Sequence, residues 1–186
     1  VRLSEAIQPS HKKQGFHASG TCGALGATLA ITKTLSFDRA KTKRAVSAAS
    51  VSCAGSLKAL EDNSELKPFN IARASQSAII STLIAQAKFE GPNDIFTGIN
   101  GFFNNFSTEN DQSKLFKDQG SKLAILKVYF KPHAACRYCH SPIEAALKLK
   151  KKYSIDHKSI ESILVETYSL AVEKHDHTEI NNVSSA

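Results

Sequence analysis

The chain has 186 residues, 41% of them apolar and 22% charged, and its 24 Lys and Arg residues exceed its 17 Asp and Glu residues to give a net charge of +7. This composition is typical of one globular domain or two small ones, and it excludes a collagen, a wholly disordered chain and a disulfide-stapled miniprotein. No stretch supplies about 20 consecutive apolar residues, so we expect no membrane span and no membrane partner.

The positive charge is divided among separate clusters at residues 12–13, 41–44 and 148–152. Charge runs of this kind usually lie on solvated helix faces, so we expect no nucleic-acid partner, whereas small acidic metabolites fit the charge. Four cysteines occur in a chain whose first residues lack a secretory signal pattern. Reduced thiols in the cytoplasm are therefore the expectation.

The first third of the chain predicts a loop followed by tightly packed helices. Residues 1–18 are polar and contain Pro9 and Gly15, so they are interpreted as a loop. Residues 19–35 are rich in Gly and Ala and predict a helix that packs closely on its neighbours. The glycines at 20, 23 and 26 match neither phosphate-loop pattern, so we attribute them to helix packing.

Two longer helices are predicted next. Ser36 or Asp38 can cap a helix over residues 40–60. Residues 72–89 carry the clearest helical periodicity, and Gly-Pro follows directly. Residues 94–106 predict a short helix with an apolar loop, and residues 107–121 a polar linker or exposed turn.

The pattern changes in the last third. Residues 123–130 and 160–172 contain alternating β-branched and aromatic residues and predict two strands. Between them, Ser141, Pro142 and Glu144 form the pattern of a helix-starting capping box. The predicted fold class is mainly α, with part of a helical domain over residues 1–124 and part of a smaller α+β lid domain over residues 125–186.

A compact motif in the last third allows metal chemistry. Cys136, Cys139 and His140 match the C-x-x-C-H pattern of covalent haem attachment, and with His133 they supply four zinc ligands in eight residues. Structural zinc sites normally need a second pair of ligands a dozen or more residues away, and none follows here. A pair of buried free thiols is the plainer interpretation, and the zinc or haem module is kept as an alternative.

A second group of residues is cationic. His17 precedes a helix rich in small residues, Lys67 lies on a Pro-interrupted turn before the next helix, and Lys131, Arg137 and His140 cluster before another helix. Fixed cations, imidazoles and a helix N-terminus suit a multiply charged carboxylate. An imidazole can also titrate near neutral pH and act as an acid or base.

These pieces occur in an order that is similar to a known family. The blocks are Gly-Phe-His-Ala-Ser-Gly-Thr at 15–21, Thr-Leu-Ser-Phe-Asp at 34–38, Lys-Pro-Phe-Asn-Ile-Ala-Arg-Ala-Ser at 67–75, Gly-Ile-Asn-Gly-Phe-Phe at 98–103 and Lys-Pro-His-Ala-Ala-Cys-Arg-Tyr-Cys-His at 131–140. Together they resemble the MmgE/PrpD family from about residue 15 to about residue 168. That family contains 2-methylcitrate dehydratase, cis-aconitate decarboxylase and iminodisuccinate epimerase.

The resemblance implies a helical domain with a smaller lid, homodimers, no metal and no organic cofactor, and an active site between the domains. It implies that His17, Lys131 and His140 are catalytic and that Lys67 and Arg137 bind substrate. His17 is the first choice for acid–base chemistry, and Lys131 would bind a carboxylate or supply a proton.

The expected function is an acid–base enzyme that acts on a small di- or tricarboxylate by dehydration, decarboxylation or epimerisation. The Arg137-x-x-His140 form is missing from some dehydratases and decarboxylases of the family, which favours the epimerase-like branch slightly. Family members are considerably longer than this chain, so we expect it to be a fragment. The alternative is a truncated or inactive helical protein that only associates with other chains.

Overall fold

Helices dominate the computed structural model of the protein, which describes residues 1–60, 64–169 and 171–172. The chain divides into two compact units, Val1–Lys127 and Val128–Ala186. The α-helices are α1 (Arg2–Ile7), α2 (Ser10–Lys13), α3 (Cys22–Thr34), α4 (Arg39–Val51), α5 (Lys67–Gln86), α6 (Phe102–Phe106) and α7 (His140–Tyr153). The mainly α class is thereby confirmed, whereas the domain boundary near residue 124 stays a prediction. Within the described ranges, no helix is both long and apolar enough to cross a membrane.

The centre of the first unit is a cluster of three helices, in which α3, α4 and α5 all pack against one another. Their facing positions carry small side chains, and Ala24, Ala45, Ala49, Ala74 and Ala78 are almost completely buried. Small residues let helix axes approach closely, which is the packing that the sequence predicts for this region. Leu25 of α3 is fully buried within this cluster.

Local sequence signals explain how these helices begin and end. The side chain of Asp38 caps α4 by accepting a hydrogen bond from the backbone N–H of Lys41 at 2.7 Å. Helix α5 begins at Lys67, five residues earlier than predicted, because Pro68 is tolerated in the first turn of a helix. Helix α4 ends at Val51 rather than near residue 60, since the chain then turns through Gly55.

The predicted loop over residues 1–18 is wrong in its first part, where α1 and α2 form. Both helices are too short to be stable alone, so they depend on tertiary contacts. Ala6, Ile7, Ser10 and His11 are buried, and Ile7 belongs to the main hydrophobic core.

The three glycines near α3 have different surroundings. A Cβ on Gly20 would clash with the backbone of Ala54 and Gly55, and a Cβ on Gly23 would contact Ala74 of α5 at 3.7 Å. Gly26 faces open space. Close packing therefore explains Gly20, as predicted, but a Cβ would make only an ordinary contact at Gly23 and would meet nothing at Gly26.

Neither predicted strand forms among the residues that the structure describes. In the first candidate, Ala124–Lys127 is a 3-10 helix, and residues 128–130 belong to no helix or strand. Residues 160–168 likewise belong to no strand, and residue 170 of that candidate lies outside the described part of the chain. A strand needs a neighbouring strand that pairs with its backbone N–H and C=O groups, and the described residues supply none. Phe130 and Leu164 are accordingly 99% and 86% exposed.

The predicted capping box at the start of α7 is also wrong. The helix begins at His140 with Cys139 at the N-cap, and no side chain makes a capping hydrogen bond. Glu144 instead pairs with the imidazole of His133 at 2.7 Å. The pair with His133 has therefore taken the place of the predicted capping hydrogen bond.

Candidate functional site

The Gly-Phe-His segment of the first unit is held against residues 55–57 by backbone hydrogen bonds. The N–H of His17 donates to the carbonyl of Gly55 at 2.9 Å, and the N–H of Leu57 donates to the carbonyl of Gly15 at 2.7 Å. Gly15 has φ +84°, a left-handed conformation that favours glycine. These two hydrogen bonds therefore fix the backbone at His17 and at Gly15, two residues before it.

Asn70, in the first turn of α5, orients the His17 ring. Its Nδ2 atom lies 3.3 Å from Nδ1 of His17 and 3.4 Å from the carbonyl oxygen of Ser56. That carbonyl can only accept, so the amide nitrogen is assigned as the donor to both atoms. In this arrangement neutral His17 carries its proton on Nε2. Asn70 is buried, whereas His17 is half-buried.

The surroundings of His17 are electropositive. Partial burial lowers the pKa of His17, and the charges of Lys67 and His11 lower it further. Lys67 is the first residue of α5, a 20-residue helix whose N-terminus has no side-chain cap. A helix N-terminus and a lysine ammonium both favour a negatively charged ligand, and Lys67 brings the two together at the start of α5.

Replacing Lys67 should change the titration of His17 in a defined direction. Because the Lys67 charge disfavours imidazolium, Lys67→Gln should raise the pKa of His17. The measurement is an NMR pH titration of the His17 ring. Lys33→Gln removes an exposed charge in the last turn of α3 and serves as the control. An unchanged His17 pKa in Lys67→Gln would contradict the electrostatic coupling.

His11 is a buried polar residue that sequence reasoning missed. Its Nδ1 donates to the carbonyl of Phe106 at 2.8 Å, and the hydroxyl of Thr21 donates to its Nε2 at 2.9 Å. Its ring stacks on Phe16, the residue before His17, with 5.4 Å between centroids. Burial lowers the pKa of His11, so the neutral form is favoured in the folded protein. The buried ring of His11 thus packs against Phe16 and stabilises the Gly-Phe-His motif.

Lys131 and His140 of the second unit converge on one carbonyl group. The Lys131 ammonium donates to the carbonyl of Ala135 at 3.1 Å, and Nε2 of His140 lies 3.3 Å from the same oxygen. His140 therefore donates from Nε2, which leaves Nδ1 unprotonated in the neutral ring. His140 is only 3% exposed, whereas Lys131 is exposed.

Arg137 and His133 lie in the same loop. The Arg137 guanidinium lies over the ring of Tyr129, 5.4 Å from the ring centroid, and Arg137 is exposed. No described carboxylate forms an ion pair with it, so a substrate carboxylate could bind there. The His133 ring meets His140 edge-on at 5.3 Å while pairing with Glu144.

The cysteines fall into two classes, which corrects the expectation of buried thiols at 136 and 139. Cys22 and Cys53 are buried free thiols, and Cys136 and Cys139 are half-buried free thiols. Within the described part of the chain, no three His, Cys, Asp or Glu side chains are grouped as metal ligands. The four-ligand zinc arrangement considered for residues 133–140 is therefore not formed there. The sequence also contains a His-x-His pair at His175 and His177, which lies outside the described residues.

The structure thus places the five predicted site residues in two groups. His17 and Lys67 are together in the first unit, and Lys131, Arg137 and His140 lie in the second unit, in the segment that leads into α7. Their functional roles remain predictions. The structure adds Asn70 to the candidate site residues. Asn70 lies one helical turn after Lys67 in the same sequence block, and this position is the signal that could have identified it.

A comparison with known protein families identifies the first unit. The family model described as the MmgE/PrpD N-terminal domain matches residues 1–115, which include His17, Lys67 and Asn70. No curated protein matches the chain.

Proposed function

Because the chain belongs to the MmgE/PrpD family, we propose that it takes part in acid–base chemistry on a small di- or tricarboxylate. The reaction is dehydration, decarboxylation or epimerisation, and each proceeds by proton transfer next to a carboxylate. The observation that carries the proposal is the His17 imidazole, oriented by Asn70 and lying in the field of Lys67.

A bound anion would make His17 a better proton donor. In the free protein, burial and the Lys67 charge hold the pKa of His17 below its usual value. A di- or tricarboxylate would offset the Lys67 charge and place negative charge near the ring, which favours imidazolium. All three reactions need a donor: for a leaving hydroxyl group, for the carbanion left by decarboxylation, or for the reprotonation step of epimerisation.

Asn70 can support both protonation states of the ring. Its amide group donates through Nδ2 to unprotonated Nδ1, as observed. After rotation of the amide, Oδ1 could accept from Nδ1–H of imidazolium. Asn70 would thereby direct Nε2, the other ring nitrogen, toward proton exchange with the substrate.

The second unit would contribute charge and orientation. We assign substrate binding to Lys67 and Arg137, and catalytic roles to Lys131 and His140 alongside His17. The exposed ammonium and guanidinium groups of Lys131 and Arg137 support this assignment, since both could bind a carboxylate. His140 is almost fully buried, and its neutral Nδ1 could accept a proton only if the loop moved to uncover it.

Carboxylate binding tests the proposal directly. A ligand that binds only the folded state raises the melting temperature, so citrate-like tricarboxylates should stabilise the full chain more than sulfate at equal ionic strength. Lys67→Gln and Arg137→Gln should each reduce that difference, and Lys33→Gln should retain it. Equal shifts with sulfate and citrate would leave only non-specific charge binding and would contradict a shaped carboxylate site.

The proposal includes a homodimer in a reducing, cytoplasmic compartment. Ile79, Ile80 and Leu83 of α5 are about half exposed and give this helix an apolar outer face that a second chain could cover. The four free thiols support a reducing compartment. Light scattering on the thermal-shift samples measures the stoichiometry, and a single-chain mass would overturn the dimer.

A further inference from the structure

The C-x-x-C segment of the second unit has chemistry that the proposed function does not use. Cys22 and Cys53 in the first unit are deeply buried, and desolvation raises their pKa values to about 11 and about 12. Their thiolates are scarce at neutral pH, so both are poor nucleophiles. Cys136 and Cys139 are half-buried and reachable from solvent. The chain therefore contains an accessible pair of thiols and an inert pair.

The backbone turn from Cys136 to Cys139 brings the two cysteines within reach of each other. The N–H of Cys139 donates to the carbonyl of Cys136 at 3.0 Å, which closes a 3-10 turn over the four residues. Such a turn holds its first and fourth Cα atoms less than about 7 Å apart. A disulfide spans Cα separations of about 4.4 to 6.8 Å.

The backbone conformation of both cysteines is ordinary. Cys136 is extended, with φ −61° and ψ 146°, and Cys139 is helical, with φ −84° and ψ −11°. Neither residue is in the left-handed region, so closing the ring starts from an unstrained turn. The Cys139 carbonyl also leads directly into α7, a 14-residue helix that holds one end of the turn in place.

Cys136 also affects the pKa of Cys139. Desolvation and the neighbouring Cys136 raise the pKa of Cys139, whereas the charge of Lys131 lowers it. An interaction between the two sulfur groups is expected only if they are close together. Because the net effect on Cys139 is an increase, this thiol should react faster in mildly alkaline buffer than at neutral pH.

We propose that Cys136 and Cys139 form a redox site, closing reversibly to an intramolecular disulfide while Cys22 and Cys53 stay as thiols. The oxidant is a small disulfide of the glutathione type. Disulfides in reducing compartments are usually transient and redox-sensing, so such a pair fits the proposed compartment.

The exchange balances in two steps. The thiolate of one cysteine attacks a sulfur of the glutathione disulfide, forming a mixed disulfide and releasing one glutathione thiolate. The thiolate of the other cysteine attacks the protein sulfur of that mixed disulfide and releases the second glutathione. The two protons lost by the cysteines are taken up by the two departing thiolates, and the two electrons lost by the pair reduce the oxidant.

The site adjoins the predicted catalytic loop on both sides. Ala135, whose carbonyl binds Lys131 and His140, precedes Cys136, and His140 follows Cys139. A disulfide between Cys136 and Cys139 would constrain the peptide that connects Ala135 to His140. This connection to catalysis rests on the proposed function, whereas formation of the disulfide does not.

Mass spectrometry of the oxidised full chain tests the proposal. The chain is incubated with glutathione disulfide at mildly alkaline pH, denatured and alkylated. We expect two alkylated cysteines instead of four, a monomer mass lower by two hydrogens before alkylation, and recovery of all four thiols after dithiothreitol. Trypsin cleaves after Arg137, between the two cysteines, so the peptides 128–137 and 138–148 should remain joined until reduction.

Matched variants make the result specific. Cys136→Ser and Cys139→Ser should each abolish the joined peptides, and Cys53→Ala should leave them unchanged if the variant folds. The same digest of the unmodified chain also shows whether Cys22 and Cys53 stay reduced. This comparison needs no variant, so it does not depend on whether Cys53→Ala folds. Four alkylated cysteines after oxidation, a disulfide between two chains, a stable glutathione adduct, or a bond to Cys22 or Cys53 would each overturn the proposal.

Discussion

Replacing His17 by Gln should lower the turnover number of the proposed reaction by about 10²-fold or more, which is the usual contribution of a positioned general acid or base. Gln matches the reach and polarity of His, so the backbone hydrogen bond to Gly55 and the fold should persist. It cannot exchange a proton near neutral pH. The measurement is kcat at saturating substrate, using the carboxylate that stabilises the chain most, with circular dichroism to verify the fold.

Lys131→Ala gives a contrasting pattern that separates charge from proton transfer. Removing this exposed cation should weaken binding as well as rate, because a bound carboxylate interacts with it before the transition state. His17→Gln should mainly reduce kcat. Normal turnover of folded His17→Gln would mean that His17 binds or packs, and that another group moves the proton.

Replacing Gly20 by Ala should destabilise the first unit by about 1–3 kcal/mol or more, the usual range for inserting atoms into a packed site. The new Cβ would lie inside the contact distance of the Ala54 carbonyl oxygen and 3.1 Å from Cα of Gly55. Both neighbours are backbone atoms, which cannot rotate away as a side chain could. Because His17 donates to the carbonyl of Gly55, movement there would also disturb the candidate site.

Gly26→Ala is the matched control, since it makes the same chemical change in an open place. Gly26 lies inside α3, and nothing is within 4 Å of its Cβ position. Alanine favours a helix over glycine by about 0.8–1.0 kcal/mol, so this variant should be more stable than the original chain. Urea unfolding of the two variants measures both changes. A loss of stability in Gly26→Ala equal to that in Gly20→Ala would contradict the steric explanation.

Signals that act within a few residues were sufficient for much of the helical domain. The small-residue composition predicted α3, the candidate caps Ser36 and Asp38 predicted the start of α4, and the periodicity over residues 72–89 predicted most of α5. The order of the short motifs predicted the MmgE/PrpD family, and the match over residues 1–115 confirms it. These features are readable because caps and helical periodicity are determined by neighbours in sequence.

Contacts between distant residues decided the rest. Helices α1 and α2 exist because Ile7 and His11 are buried by other elements, and their own sequences are too short and polar to predict them. Glu144 binds His133 instead of capping α7, and Asn70 meets His17 across 53 positions of sequence. Residues 123–130 have the composition of a strand, but the described residues provide no strand to pair with them. The sequence by itself determined most of the longer helices and the family; the tertiary structure decided whether the short helices form and which polar groups meet, because burial and pairing depend on partners far away in the chain.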